Sequence, residues 1–240
     1  LFSLLLKGIS IPVFFVSSNR PVVDFKTGEP SKNANGNANF KAAVECIMNG
    51  ITPDVYVTYK NYEDNRMYLH YAKALLQCRN YDENFYSNGA IDINDSNEAI
   101  KSIPEKEQVT FNELPIVELK GKKLKNCVLK ITPYVGLDYD SFNLSKCRAV
   151  LHGAYHSGTA CTEKSAAEYE QCGIVSSSSI LNFIDRCAKE KVDFYYSPSE
   201  VEGGATVYDT VPLIKNKGVN ISHGMTDELM YAKLLIEYAE

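Results

Sequence analysis

The sequence predicts an α/β protein of two domains, each with a mainly parallel sheet covered by helices. Three observations carry that expectation. IPVFFVSSN, residues 11 to 19, is a continuous apolar, β-branched and aromatic run that ends in short polar side chains, the pattern of a strand buried on both faces of a parallel sheet. The second half alternates strand-like and helix-like segments, which is how a chain builds parallel strands with helical crossovers. Between the halves, ELKGKKLKN (118 to 126) carries lysines and a glycine and reads as a solvated linker, dividing a first domain at 1 to 118 from a second at 127 to 240, with 119 to 126 between them.

The elements follow in order. After the first strand, residues 20 to 39 form a polar loop, and Phe40, Ala43, Val44, Ile47 and Met48 then recur at helical spacing up to Gly50, a plausible residue just past a helix end. DVYVTYKN (54 to 61) is the next strand, and 67 to 77 is a short helical candidate inside a surface-rich connection that reaches Pro115. In the second half, strands are expected at 127 to 132, 148 to 155 and 193 to 197, with helices at 178 to 190, near 207 to 217 and at 225 to 239. Thr226 is the expected N-cap of the last helix, and Asp227 and Glu228 follow in its first turn, where acidic side chains favour the helix dipole. Pro212 fits the preceding helix only if that helix starts near Asp209.

Composition narrows the function classes. The chain of 240 residues, 45% hydrophobic, can fill a packed core. Its 25 basic and 30 acidic side chains give a formal charge of -5, and no basic block is dense enough to track phosphates, so nucleic acid is not the expected partner. No apolar run approaches the roughly 20 residues that cross a bilayer, and LFSLLLKG at the start lacks a basic leader or a cleavage site, so no membrane partner is expected either. The 7 cysteines are an odd number without CxxC pairs; Cys161 and Cys172 come nearest and still lie too far apart for a zinc motif. Reduced thiols in a cytoplasmic protein, with no metal and no cofactor, are the expectation.

Two polar turns stand where such sheets bind ligands, beyond the carboxyl ends of strands. One is Ser17, Ser18 and Asn19; the other is HSGTACT, His156 to Thr162 in number, where a glycine allows close backbone approach. His156 suits an acid or base, or equally a hydrogen-bonded tie of its turn. Ser157 lacks the glycine two residues earlier that a nucleophile elbow needs, and Cys161 suits a small buried hydrophobe better than a nucleophile.

The ordered set IPVFFVSSNRP, NGNANFKAAVECI, DVYVTYKN, AYHSGTACT, YDTVPLIKNKGV and MTDELMYAKLLIEY resembles the bacterial-type L-asparaginase (asparaginase/glutaminase) family across nearly the whole chain. The resemblance implies a larger N-terminal and a smaller C-terminal α/β domain, a homodimer or homotetramer with sites between subunits, an amino-acid substrate and no cofactor. It implies hydrolysis of L-asparagine to L-aspartate and ammonia by a threonine nucleophile, activated by a neighbouring base because a hydroxyl is a poor nucleophile at neutral pH. The family's TGGTI-type and HGTDT-type threonine motifs do not occur in this sequence. The chain opens at Leu1 on what reads as the end of an apolar helix, so the first domain is expected to be incomplete and the nucleophile to lie upstream.

By the same resemblance, VSSNRP stands where the family's TG-x-x-x-P turn touches the substrate, which makes Ser18 and Asn19 candidate substrate-binding residues; a plain strand-end turn is the other reading. HSGTA stands for the family's GVGNA loop, placing Thr159 where an asparagine reaches a neighbour's substrate. Lys73, after the DVYVTYKN strand and Arg66, is the candidate catalytic lysine, matched by allowing a short insertion; a lysine on the exposed face of a short helix is the alternative. Two other functions remain open at this point: a non-catalytic amino-acid-binding module, and an ammonia-supplying amidotransferase subunit.

Overall fold

The computed structural model describes residues 1–94, 109–155, 158–162, 176–198, 210–222 and 224–240. His156, Ser157 and Cys172 lie outside them. The chain divides into two compact units, Leu1–Gly121 and Lys122–Glu240, and the division falls inside the lysine-rich stretch. Both units are α/β.

The first unit opens with a short helix, α1 (Phe2–Leu5), followed by strand β1 (Val13–Val16), helix α2 (Gly36–Met48) and strand β2 (Val55–Lys60). β1 and β2 pair in parallel, Val13 opposite Val55, so α2 is the crossover between them. The end of α2 shows why Gly50 is there. Its φ of 76° is reached without strain only by glycine, and it turns the chain so that Gly50 N donates to Ile47 O and Ile51 N to Cys46 O. Ile51 then packs with Cys46, Tyr56 and Leu69 in the core between helix and sheet.

The sheet departs from the sequence expectation in two ways. Residues 67 to 77 are not helical: β3 (Met67–Tyr71) pairs antiparallel with β2, a 3-10 turn follows at Ala72–Ala74, and β4 (Ile91–Asp92) adds antiparallel to β3. Met67, Leu69 and Tyr71 point to the α2 face while Tyr68 and His70 point to the other, a period of two that the strand pairing selects over the helical reading. The sheet, in order β1-β2-β3-β4, is therefore mixed. β1 is also not buried on both faces, because it stands at the end of this order; Phe15 and Val16 stay 40% and 38% exposed, with the Phe2 ring tilted against Phe15. A last short helix, α3 (Pro115–Glu118), closes the unit with proline at its start, where no N–H is needed.

The second unit follows its expected alternation closely. β5 (Val128–Ile131), β6 (Ala149–His152), β7 (Asp193–Tyr196) and β8 (Asn220–Ile221) form one parallel sheet in that order. β8, a strand of 2 residues, was not expected from the sequence. Helices α4 (Ile180–Lys189) and α5 (Thr210–Lys215) cover one face, packing Phe183, Ile184 and Ile214 on Val150 and Phe194. Helix α6 (Asp227–Glu237) covers the other, packing Met230 and Leu234 on Val128 and Leu151. The adjacent β6 residues Val150 and Leu151 thus enter opposite cores, which is why the strand is apolar without interruption. Thr226 caps α6, its hydroxyl accepting from Leu229 N at 3.2 Å. Pro212 sits in the first turn of α5, where the missing N–H breaks no helical bond.

Candidate functional site

The turn after β1 is held by two asparagines that come from the α2 end of the polar loop. Asn39, fully buried on α2, donates from Nδ2 to Ser17 O at 2.9 Å and accepts at Oδ1 from Lys60 N at 2.7 Å, so one side chain ties the ends of both parallel strands. Asn35 donates from Nδ2 to Lys60 O at 2.9 Å, while its Oδ1 accepts from Asn19 N at 2.9 Å and its own N–H donates to Asn19 Oδ1 at 3.1 Å. The Ser18 hydroxyl donates to Arg20 O at 2.6 Å and accepts from Gly36 N, at the start of α2, at 3.1 Å. Gly36 is required there, since a Cβ would come within 2.6 Å of Val22 and 2.8 Å of Ser18.

Asn19 Nδ2 reaches Glu83 at 3.1 Å, and Arg20 pairs with the same carboxylate at 3.4 Å. The candidate side chains of Ser18 and Asn19 therefore already hold protein groups. The turn is pre-organised, and it offers a ligand mainly backbone, edged by the Arg20–Glu83 pair.

Lys73 is not brought to this turn. β3 runs antiparallel to β2 with Tyr71 opposite Tyr56, so the chain beyond Tyr71 returns to the edge at which β1 and β2 begin. There Lys73 Nζ lies 3.6 Å from Asp54 and 5.1 Å from the centre of the Tyr71 ring, and Asp54 O accepts from Val13 N, the first residue of β1. Ser18 and Asn19 follow the last residue of β1, at the opposite edge. The lysine keeps an acidic neighbour, as a relay lysine would, but the length of the strands separates it from the candidate binding turn.

Thr159 belongs to the second unit, in the loop beyond the carboxyl end of β6. That loop is tight: Gly158 N donates to Tyr155 O and Tyr155 N to Thr159 O, both at 2.8 Å, and the Tyr196 hydroxyl donates to Gly158 O at 2.9 Å. Gly158 has a φ of 72°, which explains the glycine of the HSGTACT segment. Thr159 itself is half-buried.

Two histidines were not singled out in the sequence, and both are fully buried. His152, the last residue of β6, uses both ring nitrogens: Nδ1 donates to Gly153 O at 2.6 Å, and Nε2 accepts from the Tyr139 hydroxyl at 2.8 Å. A carbonyl can only accept, so the Nδ1–H tautomer is fixed. His70, on β3, has Nδ1 at 2.8 Å from the Ser87 hydroxyl, while its buried Nε2 meets no protein partner among the described residues. Burial pushes both imidazoles down to about 4, so both are neutral at pH 7. The alternation in MYLHY was the available signal for His70. Assigning that segment to a helix concealed it.

Among the described residues no three His, Cys, Asp or Glu side chains converge as a metal-binding group. No helix among them is long and apolar enough to cross a membrane. No protein-family model matches the chain, and no curated protein matches it.

Proposed function

We propose that the chain works in an L-asparaginase-type amidohydrolase, which releases L-aspartate and ammonia from L-asparagine, with the threonine nucleophile contributed from outside these 240 residues. The hydroxyl attacks the side-chain amide carbon, the C–N bond breaks as ammonia leaves with a proton, and water then cleaves the acyl-enzyme ester. In this reading the backbone of the turn at 17–19 positions the substrate amide, and Thr159 reaches substrate in a neighbouring subunit of a homodimer or homotetramer. Lys73 acts only if the nucleophile approaches the edge where β1 begins. The cytoplasm, where 7 cysteines stay reduced, is the proposed setting.

The observation that carries the reading is the turn at the carboxyl end of β1, locked by Asn35 and Asn39 beside the start of α2. It adds to the six ordered sequence segments a pre-organised backbone at the position where open α/β sheets take ligands. Ammonia release from L-asparagine by the protein purified from its natural source tests the reading. Turnover that falls in an Asn19→Ala variant supports it, whereas intact protein that binds asparagine without releasing ammonia replaces it with a non-catalytic amino-acid-binding module. The distance between Lys73 and the turn favours that second reading.

A further inference from the structure

The ladder between β1 and β2 fixes which backbone groups face which strand. Val13 N donates to Asp54 O, and the register sets Val13 opposite Val55 and Phe15 opposite Val57, so the β1 groups turned toward β2 belong to Val13, Phe15 and then Ser17. Continued past the strand ends, that pattern would have Ser17 O accept directly from Lys60 N, and Asn19 N donate directly to Lys60 O. Each of these two successive bonds is replaced by a carboxamide. Asn39 stands in the first, with Nδ2 donating to Ser17 O at 2.9 Å and Oδ1 accepting from Lys60 N at 2.7 Å. Asn35 stands in the second, with Nδ2 donating to Lys60 O at 2.9 Å and Oδ1 accepting from Asn19 N at 2.9 Å.

Both amides have only one possible orientation, because a carbonyl can only accept and a backbone N–H can only donate. Asn39 is fully buried, and its own carbonyl accepts from the Thr58 hydroxyl at 2.8 Å, which holds α2 to β2 at the same level. The ladder is therefore continued through side chains. Backbone direction is kept across the gap, but the two strand ends stand one amide group apart, and the turn of Ser17, Ser18 and Asn19 leaves the sheet from the far side of that spacer.

We propose that Asn35 and Asn39 are positioning residues for the amino-acid site proposed at this turn: as spacers in the ladder they set the orientation in which the backbone of residues 17–19 meets its ligand. The proposal rests on the reading of that turn as the site, and it predicts that the donor half of each carboxamide governs affinity without touching the ligand.

The test exchanges that donor alone. In Asn39→Asp the ionised carboxylate can only accept, so the bond to Ser17 O is lost, whereas the protonated carboxyl again donates to Ser17 O and accepts from Lys60 N. Burial raises the pKa of the new carboxyl, which brings its protonation within reach of mildly acidic solution. L-Asparagine affinity of the intact protein is measured at pH 8 and at about pH 5.5, as Kd where the amide survives and as KM where it is hydrolysed. The parent at both pH values accounts for the charged groups around the turn, Lys60, Arg20 and Glu83. The expected result is an affinity about tenfold weaker than the parent at pH 8, the loss of one hydrogen bond, which returns toward the parent at the lower pH. Asn39→Leu, with no polar group, is expected to be weak at both. If Asn39→Asp does not fold, Asn35→Asp at the half-buried second carboxamide carries the same measurement. A variant that binds like the parent at pH 8 while losing stability, or one equally weak at both pH values, overturns the proposal and leaves the turn as the site. A parent with no affinity for asparagine overturns both.

Discussion

His70 and His152 are equally buried in the two units and their imidazoles are shifted alike, yet their surroundings satisfy them differently. Each is 0% exposed and lies on a strand, and desolvation pushes each imidazole down to about 4. His152 is bracketed by a carbonyl and a tyrosine hydroxyl, which fix its tautomer and satisfy both nitrogens, and Tyr139 stacks on Phe183 at 4.6 Å so that the pair is part of the core. Among the described residues His70 has one hydrogen-bond partner, a hydroxyl that permits either tautomer, and a cavity beside it. Burial alone therefore does not tell whether a histidine has its hydrogen bonds satisfied. The count of hydrogen-bond partners does.

The largest expected effect tests what the two histidines share. An unfolded imidazole takes up a proton near 6.5, while the folded ones resist until about 4. The unfolded state therefore binds more protons in that window: the stabilisation is complete above pH 6.5 and is lost as the pH falls toward 4. Two such groups contribute on the order of several kcal/mol, which urea denaturation across this range would read as a steep loss of stability. A flat profile would show that water reaches both rings.

Next in size is the effect that separates them. His152→Leu leaves the buried Tyr139 hydroxyl without its acceptor and Gly153 O without its donor, and is expected to destabilise the protein by about 3 kcal/mol. His70→Leu, beside Val57 on the neighbouring strand, removes a nitrogen that has no partner among the described residues and is expected to change stability by less than about 1 kcal/mol, the lost Ser87 contact being offset by the removed orphan. Equal losses for the two variants, measured by urea denaturation at pH 7.5, would erase the distinction.

The smallest effect is expected at Lys73, a polar group whose side chain is 45% exposed. The lysine end of its 3.6 Å ion pair stays in solvent, although the Asp54 side chain is 13% exposed, so Lys73→Ala should cost under about 1 kcal/mol in the same measurement. If the proposed asparagine turnover is observed and also stays unchanged in this variant, the lysine has no part in the chemistry; a collapse of that turnover at unchanged stability would place the reacting centre at the edge where β1 begins.

How much of this was legible in the sequence depended on the range of the interactions involved. The Gly50 helix end, the Thr226 cap and the alternation of the second unit were all readable, because each is set by backbone sterics and side chains within a few residues. Residues 67 to 77 were misassigned because their identity as a strand depends on pairing with β2. MYLHYAK suits either period until a partner is present. That same pairing reverses the chain direction, and it moved Lys73 to the edge opposite Ser18 and Asn19. Asn35 and Asn39 looked like loop and helix polarity, since their partners, Asn19 and Ser17, are 16 and 22 residues away.

The sequence by itself determined the α/β class, the sites of two strand-end turns and the residues that punctuate the helices, all consequences of local conformational preference and hydrophobic period. Only the tertiary structure decided which edge of the sheet each polar residue occupies and which buried polar atoms have partners. His70 meets Ser87 across 17 residues and His152 meets Tyr139 across 13, and a hydrogen bond over such separations exists only once the sheet has brought the strands and their covering segments together.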